Sequence, residues 1–211
     1  FQLQIIKLFS SVDLIFLIII GGLWGSFANV CIVRMPQDKG VVAGRSNCPK
    51  CKKQINWYDN IPIISYFILN GKCRKCKKPI SFRYVVVELL SIISFVVIYL
   101  IYGFSFTTLL LFILSLGFII IFFIDLKHFI IPDAITFPLM VLGFIKSFIP
   151  NLDPIFPYYV LSLIGGVFGY GIIWGIIFFY KQVKKKEGMG LGDAKLLAVI
   201  GFWFGLVAIP F

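Results

Sequence analysis

The sequence has few charged residues, which make up 14% of its 211 positions, whereas ordinary soluble domains have about 25%. Hydrophobic residues make up 60% of the chain, aromatic residues make up 18%, and the mean hydropathy is +0.99. The core of a soluble domain does not need this much apolar surface. The composition therefore excludes an ordinary soluble domain and predicts an all-α protein that crosses the membrane several times.

Acidic residues are especially scarce: nine Asp and Glu stand against twenty Lys and Arg, which gives a net charge of +11. A strongly basic chain is a candidate for nucleic-acid binding. Twelve of the twenty basic residues, however, lie between Arg34 and Arg83, and most of the others lie in short connections. This segregation indicates membrane orientation, because cytosolic loops carry an excess of Lys and Arg. We therefore expect a lipid bilayer as a partner, and no nucleic acid.

Histidine occurs only once in the sequence, at His128, and no Gly-x-Ser-x-Gly motif is present. A Ser-His-Asp hydrolase needs a histidine as its base, and zinc proteases bind their metal mainly through histidines. The single His128, at the edge of an apolar segment, provides neither a credible triad nor a ligand set. The sequence therefore fits both classes of hydrolase poorly.

Six apolar segments approach the roughly 20 residues that are needed to span a bilayer. They are Val12–Val33, Tyr84–Tyr102, Phe104–Ile124, Ala134–Ile149, Tyr158–Tyr180 and Ala194–Phe211. Connections with and without lysine alternate along the chain, which places the basic block 34–83 and the connections 125–133 and 181–192 in the cytosol. Gly103 and 150–157 are then outside. Two lysines are exceptions on the outer side, Lys7 and Lys146, and no internal repeat is visible.

Four of the five cysteines lie in the basic block as two Cys-x-x-Cys pairs, with 21 residues between the pairs. They are Cys48, Cys51, Cys73 and Cys76. The spacing is typical of a zinc ribbon, in which four thiolates hold one tetrahedral ion. Two disulfides are the alternative, but disulfides are rare in the reducing cytosol, where the block is expected. Since no histidine or carboxylate beside the cysteines indicates an open coordination position, the predicted Zn²⁺ is structural.

Two aspartates are predicted at the same cytosolic boundary of the membrane. Asp125 ends the third apolar segment, and Asp193 begins the sixth in the stretch Gly188-Met189-Gly190-Leu191-Gly192-Asp193. A carboxylate at the edge of a span is costly and is by default a functional-site hypothesis. Two close carboxylates share a proton, so that one can deprotonate water while the other protonates a carbonyl oxygen. This pattern predicts an aspartic-protease pair.

Both aspartates also have a structural interpretation. Asp193 is a possible helix N-cap with Lys195 near the first turn, because Asp is a preferred N-cap residue. Asp125 is a possible partner of Lys127 in a surface ion pair. The alternating glycines before Asp193 are expected to allow positive φ and a close approach to another segment.

Two further acids lie close to apolar helices. Asp133 follows a proline and precedes an apolar segment, so it is predicted as an N-cap rather than as a catalytic residue. Glu88, about one turn into its span, is expected in a helix–helix contact near Arg83 or Asn29. Asn29 itself needs a partner at that depth.

The motifs together resemble the type IV prepilin peptidases, which are membrane aspartic proteases with one catalytic acid in a Gly-x-Gly-Asp motif. The ordered set is far more specific than this motif alone and covers most of the chain. The similar stretches are Gly25–Val30 with Arg34–Pro36, Arg45–Cys48, Trp57–Pro62, Ser65–Tyr66, Gly71–Arg74, Ser81–Tyr84, Glu88, Asp125 with Ile131–Asp133, and Gly190–Lys195. Val85 departs from the proline that is common in the family, and the family usually continues beyond the point where this chain stops.

The resemblance implies an enzyme with two activities in the cytoplasmic membrane of a bacterium. Members cleave the short basic leader of prepilins and pseudopilins at the cytosolic face, and many then methylate the new N-terminal amine with S-adenosylmethionine. By residue match, Asp125 and Asp193 have the catalytic roles, whereas no residue is matched to the methyl donor. The implied division is a first span (1–34), a cytosolic zinc-binding domain associated with methyl transfer (35–83) and a membrane aspartic peptidase core (84–211).

Other functions account for only part of this pattern. A zinc-ribbon membrane adaptor without catalysis explains the cysteines but has no use for Asp125 together with Asp193. A transporter places its acids near the middle of the bilayer rather than at one face. A presenilin-like protease shares the Gly-x-Gly-Asp motif but has no need of the cysteine block.

Overall fold

The structure of the protein is a computed structural model, and it describes residues 11–42, 46–150, 152–185 and 190–210. Within these ranges the chain is helical, and β-structure is limited to two isolated bridges. This confirms the predicted all-α class. Some residues that enter the predictions lie outside the described ranges, namely Lys7, Arg45, Asn151, Lys186, Gly188 and Met189.

Seven α-helices make up most of the described chain. They are α1 (Ser11–Arg34), α2 (Ile64–Ile68), α3 (Arg83–Tyr102), α4 (Phe106–His128), α5 (Asp133–Lys146), α6 (Tyr159–Lys184) and α7 (Leu191–Phe204). Four of them are long and apolar enough to cross a membrane, namely α1, α3, α4 and α6. The helices α5 and α7 have 14 residues each, or about 21 Å at 1.5 Å per residue, which is less than the roughly 30 Å of a hydrocarbon core.

The chain divides into two compact units, Phe1–Phe123 and Ile124–Phe211. The first unit contains α1, α2, α3 and most of α4. The second contains the end of α4 together with α5, α6 and α7.

In the first unit, α1 and α3 pack as an antiparallel pair. A Cβ atom on Gly25 would lie 2.7 Å from the Cα atom of Glu88, and one on Gly21 would lie 2.9 Å from the Cα atom of Ile92. The two helices therefore approach each other at positions without side chains, which confirms that the glycines of the first span serve close packing. The Asn29 amide finds its expected partner across this contact, because Nδ2 donates to the carbonyl oxygen of Tyr84 at 3.0 Å.

In the second unit, α7 is packed against α6 by glycines. A Cβ atom on Gly165 would lie 2.6 Å from the carbonyl oxygen of Gly201. The Ser162 hydroxyl donates to the Phe202 carbonyl oxygen at 2.7 Å. The end of α7 is therefore held to α6 by both close packing and a hydrogen bond.

The end of α7 is also tied to α5 through two reciprocal contacts. The fully buried Trp203 donates its indole N–H to the Leu139 carbonyl oxygen at 2.8 Å, and Lys146 donates to the Trp203 carbonyl oxygen at 2.9 Å. Lys146 is 2% exposed, with its Nζ atom 4.0 Å from the ring centroid of Phe156. This lysine, one of the exceptions to the charge pattern, therefore stabilises the carbonyl end of a helix, where a cation is favoured.

Candidate functional site

The four cysteines of the basic block lie together in the first unit. Their Sγ atoms are all within 4.8 Å of one another, and the Sγ atoms of Cys48 and Cys76 are 3.8 Å apart. In a tetrahedral site with Zn–S bonds of about 2.3 Å, two sulfur atoms are roughly 3.8 Å apart. The donor set and its spacing therefore fit a metal ion, and the structure confirms that the two Cys-x-x-Cys pairs form one cluster.

Each pair is held by the same backbone turn. Cys48 N–H donates to the Lys53 carbonyl oxygen, and Cys73 N–H donates to the Lys78 carbonyl oxygen, both at 3.0 Å. Lys52 and Lys77 have positive φ, 56° and 57°, at equivalent points of the two turns. The flanking bridges, Asn47 to Gln54 and Lys72 to Pro79, are equivalent as well.

The two turns reveal a short repeat that the sequence analysis missed. Cys48–Trp57 and Cys73–Phe82 share the pattern Cys-x-Lys-Cys-Lys-Lys-x-Ile-x-aromatic. The repeat was missed because it is only ten residues long and because the distance between its two copies is also the spacing between the two pairs of metal ligands. Its structural consequence is that two similar turns present their thiols to one point.

Without a cation, the proximity of four sulfur atoms disfavours thiolate formation. The backbone N–H of Lys78 lowers the pKa of the Cys76 thiol, but partial burial and the thiols of Cys51, Cys73 and Cys48 together raise this pKa to about 11. A bound divalent cation reverses this balance, since a coordinating thiol loses its proton. The cluster is thus arranged to bind a metal ion rather than to carry free thiolates.

A second polar contact stabilises the loop between the cysteine pairs. The Arg74 guanidinium donates to both carboxylate oxygens of Asp59, at 2.7–3.0 Å, and lies 5.6 Å from the ring centroid of Tyr58. The hydrogen bond to Asp59 raises the pKa of Arg74. The Asp59 side chain is only 8% exposed, so this two-pronged ion pair fixes the loop next to the metal ligands.

Glu88 is buried in the contact between α1 and α3, and it binds the loop rather than Arg83. Its Oε2 atom accepts a hydrogen bond from the backbone N–H of Ile63 at 2.7 Å, and the Ser26 hydroxyl is a second partner. Ile63 has φ 62° and ψ −54°, and Ile64 N–H donates back to the Pro62 carbonyl oxygen at 2.5 Å. A γ-turn with positive φ is rare and strained, above all at a β-branched residue.

A cavity of about 170 Å³ lies between α1, α3 and the cysteine-containing loop, within the first unit. Its inner wall includes the buried Asn29 and Glu88 and the half-buried Ser26, and its wall on the loop side includes Asp59 and Tyr66. The Oδ1 atom of Asn29 is buried and has no hydrogen-bond partner among the described residues. The sequence analysis expected Glu88 and Asn29 near each other but did not predict that they line a cavity, because the loop that closes it follows no regular periodicity.

Asp125 lies in the last turn of α4 and is exposed. The helix does not stop at the predicted boundary, Ile124, but continues for four residues to His128. Phe129 N–H donates back to the Asp125 carbonyl oxygen at 2.9 Å. No described side chain forms an ion pair or a hydrogen bond with the Asp125 carboxylate. The alternative of a surface pair with Lys127 is therefore not observed.

Asp193 is the third residue of α7 and is half-buried. The N-cap is Gly190, with φ −81° and ψ 149°, so Asp193 is not the cap, and the expected positive φ does not occur at Gly190 or Gly192. The expected close approach does occur, because a Cβ atom on Gly192 would lie 2.9 Å from the Cβ atom of Ile131. The first turn of α7 therefore packs on the segment that follows α4.

Asp133 has a different role from the predicted one. The N-cap of α5 is Pro132, which makes no side-chain cap bond, and Asp133 is the first helical residue. Its carboxylate instead accepts a hydrogen bond from Lys195 Nζ at 2.5 Å. The N-cap prediction was wrong because the helix begins one residue earlier than predicted, at Asp133 itself, and the carboxylate is bound by a lysine on a neighbouring helix.

The structure brings the two acid-bearing stretches into one unit. Ile131, six residues after Asp125, packs against Gly192, the residue before Asp193. Two residues further along the first stretch, Asp133 forms the ion pair with Lys195. Apolar helices of membrane length, a four-thiol cluster and acids at helix ends together define a membrane protein with a metal-binding insertion and a carboxylate-based candidate centre.

Comparison with known families is more specific. Residues 19–102 match the bacterial peptidase A24 N-terminal domain, and residues 110–211 match the type IV leader peptidase family. The chain belongs to the type IV leader peptidase family.

Curated relatives agree with this assignment along most of their length. The chain is 37% identical to the prepilin leader peptidase/N-methyltransferase of Neisseria gonorrhoeae, in an alignment that covers 91% of this chain and 74% of that protein. It is 33% identical to the protein of the same name from Pseudomonas aeruginosa, in an alignment that covers 92% of this chain and 73% of that protein. It is 36% identical to the protein of the same name from Xanthomonas campestris, and that alignment covers 90% of this chain and 73% of that protein. No solved structure matches the chain.

Proposed function

We propose that the protein removes the leader peptide from type IV prepilins or pseudopilins in a bacterial cytoplasmic membrane and methylates the new N-terminal amine. Its membership of the type IV leader peptidase family supports this assignment most directly. The relatives named prepilin leader peptidase/N-methyltransferase extend it to methyl transfer. The methyl donor is S-adenosylmethionine, a substrate of the second reaction.

Leader cleavage is assigned to Asp125 and Asp193 in the second unit. Both residues end or begin helices of this unit, and neither carboxylate is engaged by another described side chain. Free carboxylates are available to act on a substrate: one accepts a proton from the attacking water while the other donates a proton to the scissile carbonyl oxygen. The connection 125–133 and the first turn of α7 face the cytosol in this proposal, in agreement with the lysines around them.

Zn²⁺ is the metal proposed for the cysteine cluster, held by Cys48, Cys51, Cys73 and Cys76. Four sulfur ligands close the coordination sphere, so the ion supplies folding energy to the loop and leaves no position for a substrate. The loop is therefore a rigid wall of the cavity in the first unit. Methyl transfer is assigned to this unit, and the acids of the second unit take no part in it.

The decisive experiment is to incubate the purified protein in detergent with a prepilin and S-adenosylmethionine and to determine the mass of the product. The expected product lacks the leader and carries one additional methyl group on its N-terminus. An intact prepilin, in the presence of metal-loaded and folded protein, would contradict the proposal. A pilin cleaved but not methylated would restrict it to the peptidase reaction.

A further inference from the structure

Two buried side chains in the wall of the first unit's cavity, Asn29 and Glu88, present hydrogen-bond acceptors. Asn29 is 2% exposed and its Oδ1 atom has no described partner, while Glu88 is 7% exposed and presents a carboxylate. Leaving a buried acceptor without a donor is unfavourable, and such groups in a folded protein require an explanation. The missing partner of this wall is a hydrogen-bond donor.

The same wall holds the loop in a strained conformation. Glu88 binds the N–H of Ile63, whose φ of 62° is unfavourable for a β-branched side chain. Strain of this kind persists only where the surroundings impose it, and it is concentrated at ligand-binding and catalytic sites. The carboxylate is thus fixed in position by the backbone N–H of Ile63.

Charge distinguishes the inner wall of the cavity from its rim. Basic side chains of the rim, such as Lys53 and Lys72, are exposed to solvent, and Arg74 is already bound to Asp59. The half-buried Arg34, which also lines the cavity, donates to the Gly40 carbonyl oxygen at 3.3 Å. Solvent weakens the field of exposed charges, whereas the interaction of a buried carboxylate with a nearby cation is screened much less. The buried wall therefore favours a cationic donor.

The size of the cavity restricts that ligand further. A volume of about 170 Å³ is smaller than the roughly 300–1,000 Å³ of pockets that enclose drug-sized molecules. It accommodates the end of a peptide more readily than a complete nucleoside-containing methyl donor. A peptide end that is both cationic and rich in donors is an N-terminal ammonium group.

We propose that Glu88 and Asn29 bind the newly formed N-terminal amine of the pilin, the methyl acceptor, in this cavity. The inference rests on the proposed methyl transfer and adds the residues that recognise one of its substrates. Asn29 Oδ1 and Glu88 orient the ammonium group by accepting its hydrogen bonds. Ser26, bonded to Glu88, positions the carboxylate.

The proposed step conserves atoms and charge. The ammonium group gives a proton to Glu88, and the neutral amine then attacks the methyl carbon of S-adenosylmethionine. An N–C bond forms while the S–C bond breaks, and its electron pair remains on sulfur as a neutral thioether. The positive charge moves to the methylated nitrogen, and Glu88 releases its proton to water.

Glu88→Gln tests the charge without removing the acceptor for Ile63. The probes are a peptide with the N-terminal sequence of a cleaved pilin and the same peptide with an acetylated N-terminus. Equilibrium binding is measured by fluorescence anisotropy on the full protein, alongside methyl incorporation. The matched control is Asp38→Asn, which replaces an exposed acid outside the cavity at a positive φ of 54° that asparagine tolerates.

The wild-type protein and Asp38→Asn are expected to bind the free-amine peptide at least about tenfold more tightly than the acetylated peptide, as is usual for a hydrogen bond to a charged group. Glu88→Gln is expected to lose this preference and to methylate the peptide at least about tenfold more slowly, while its metal content and its binding of tritiated S-adenosylmethionine stay unchanged. If Glu88 has only a structural role, Glu88→Gln should keep both the peptide preference and the methylation rate, because glutamine still accepts the hydrogen bond from Ile63 N–H.

Two results would overturn the proposal. In the first, Glu88→Gln keeps the wild-type preference for the free-amine peptide over the acetylated peptide. In the second, Glu88→Gln binds S-adenosylmethionine more weakly but binds the peptide as the wild type does. If the glutamine variant does not fold, the peptide pair on wild-type protein decides, since equal affinity for both peptides excludes an ammonium site. Failure of the proposed methyl transfer itself would give a different result. In that case the wild-type protein would not methylate any pilin peptide.

Discussion

The acidic side chains of the two candidate sites differ in what binds them. In the first unit the Asp59 carboxylate is bound by Arg74, and the Glu88 carboxylate is bound by the backbone N–H of Ile63 in a strained turn. In the second unit Asp125 and Asp193 lie at helix ends without a described side-chain partner. This difference agrees with the two proposals: a preformed binding site in the first unit, and a catalytic pair in the second whose hydrogen bonds form only with substrate.

The largest expected effect concerns the second unit. Asp125→Asn and Asp193→Asn preserve the shape of each side chain but remove its acid–base function. Each substitution is expected to slow leader cleavage by about 10²–10⁴-fold, the usual contribution of general acid–base catalysis. The measurement is the rate of leader release from a prepilin, followed by mass spectrometry. If either variant cleaves at the wild-type rate, its aspartate is not catalytic.

The second prediction concerns the metal of the first unit. Wild-type protein is expected to contain one zinc ion per chain, and Cys48→Ser or Cys73→Ser to lose it, because each removes one of four ligands. Methyl transfer is expected to be lost with the metal, while the helices of the second unit stay folded. Elemental analysis and circular dichroism provide the measurements. The matched control is Cys31→Ser, a buried cysteine of α1 outside the cluster, for which full zinc content is expected.

The third prediction uses glycine contacts to disturb one unit at a time. Gly25→Ala places a methyl group 2.7 Å from the Cα atom of Glu88, and Gly165→Ala places one 2.6 Å from the Gly201 carbonyl oxygen. Overpacking of this kind costs about 1–3 kcal/mol. Gly25→Ala is expected to reduce methyl transfer more than cleavage, and Gly165→Ala to have the reverse effect. The relevant measurements are both reaction rates and the melting temperature.

Gly171→Ala is the control for the third prediction, because a Cβ atom at this position of α6 meets nothing within 4 Å. Its melting temperature and both rates are expected to equal those of the wild type. Equal losses of both activities in Gly25→Ala and Gly165→Ala would show that the units do not work separately.

The smallest effect is expected for the ion pair beside Asp193. Asp133→Asn removes the charge that binds Lys195, and more than half of the Asp133 side chain is exposed. Exposed pairs contribute about 0.2–1 kcal/mol, so cleavage is expected to fall less than about tenfold. The rates of leader cleavage by Asp133→Asn and Asp125→Asn, measured under the same conditions, test this expectation. Equal and complete inactivation would make Asp133 a third catalytic acid.

The helices and the metal ligands could be predicted from the sequence because their signals are local. Apolar runs gave helices within a few residues of α3 and α6, and the Cys-x-x-Cys spacing identified the cluster. Features that depend on the packing of distant segments were predicted less well. The partner of Asp133 is Lys195 on another helix, and no short-range pattern relates the two residues.

Glu88 illustrates the same limit within the candidate site. Its depth in a span predicted a helix–helix contact near Arg83 or Asn29, yet its partner is the backbone of Ile63 in an irregular turn. The cavity beside it is closed by a loop whose conformation follows from the cysteine cluster and the ion pair of Asp59 with Arg74. Such a cavity becomes visible only when side chains from α1, α3 and the loop are placed together.

The most direct test of two separate centres is a single incubation of Asp193→Asn with S-adenosylmethionine, intact prepilin and pre-cleaved pilin. Mass spectrometry of the N-terminal peptides reports both reactions at once. We predict that the pre-cleaved pilin gains one methyl group at the wild-type rate while the prepilin keeps its leader. Cleaved prepilin, or pre-cleaved pilin left unmethylated by a folded and zinc-loaded enzyme, would contradict the account.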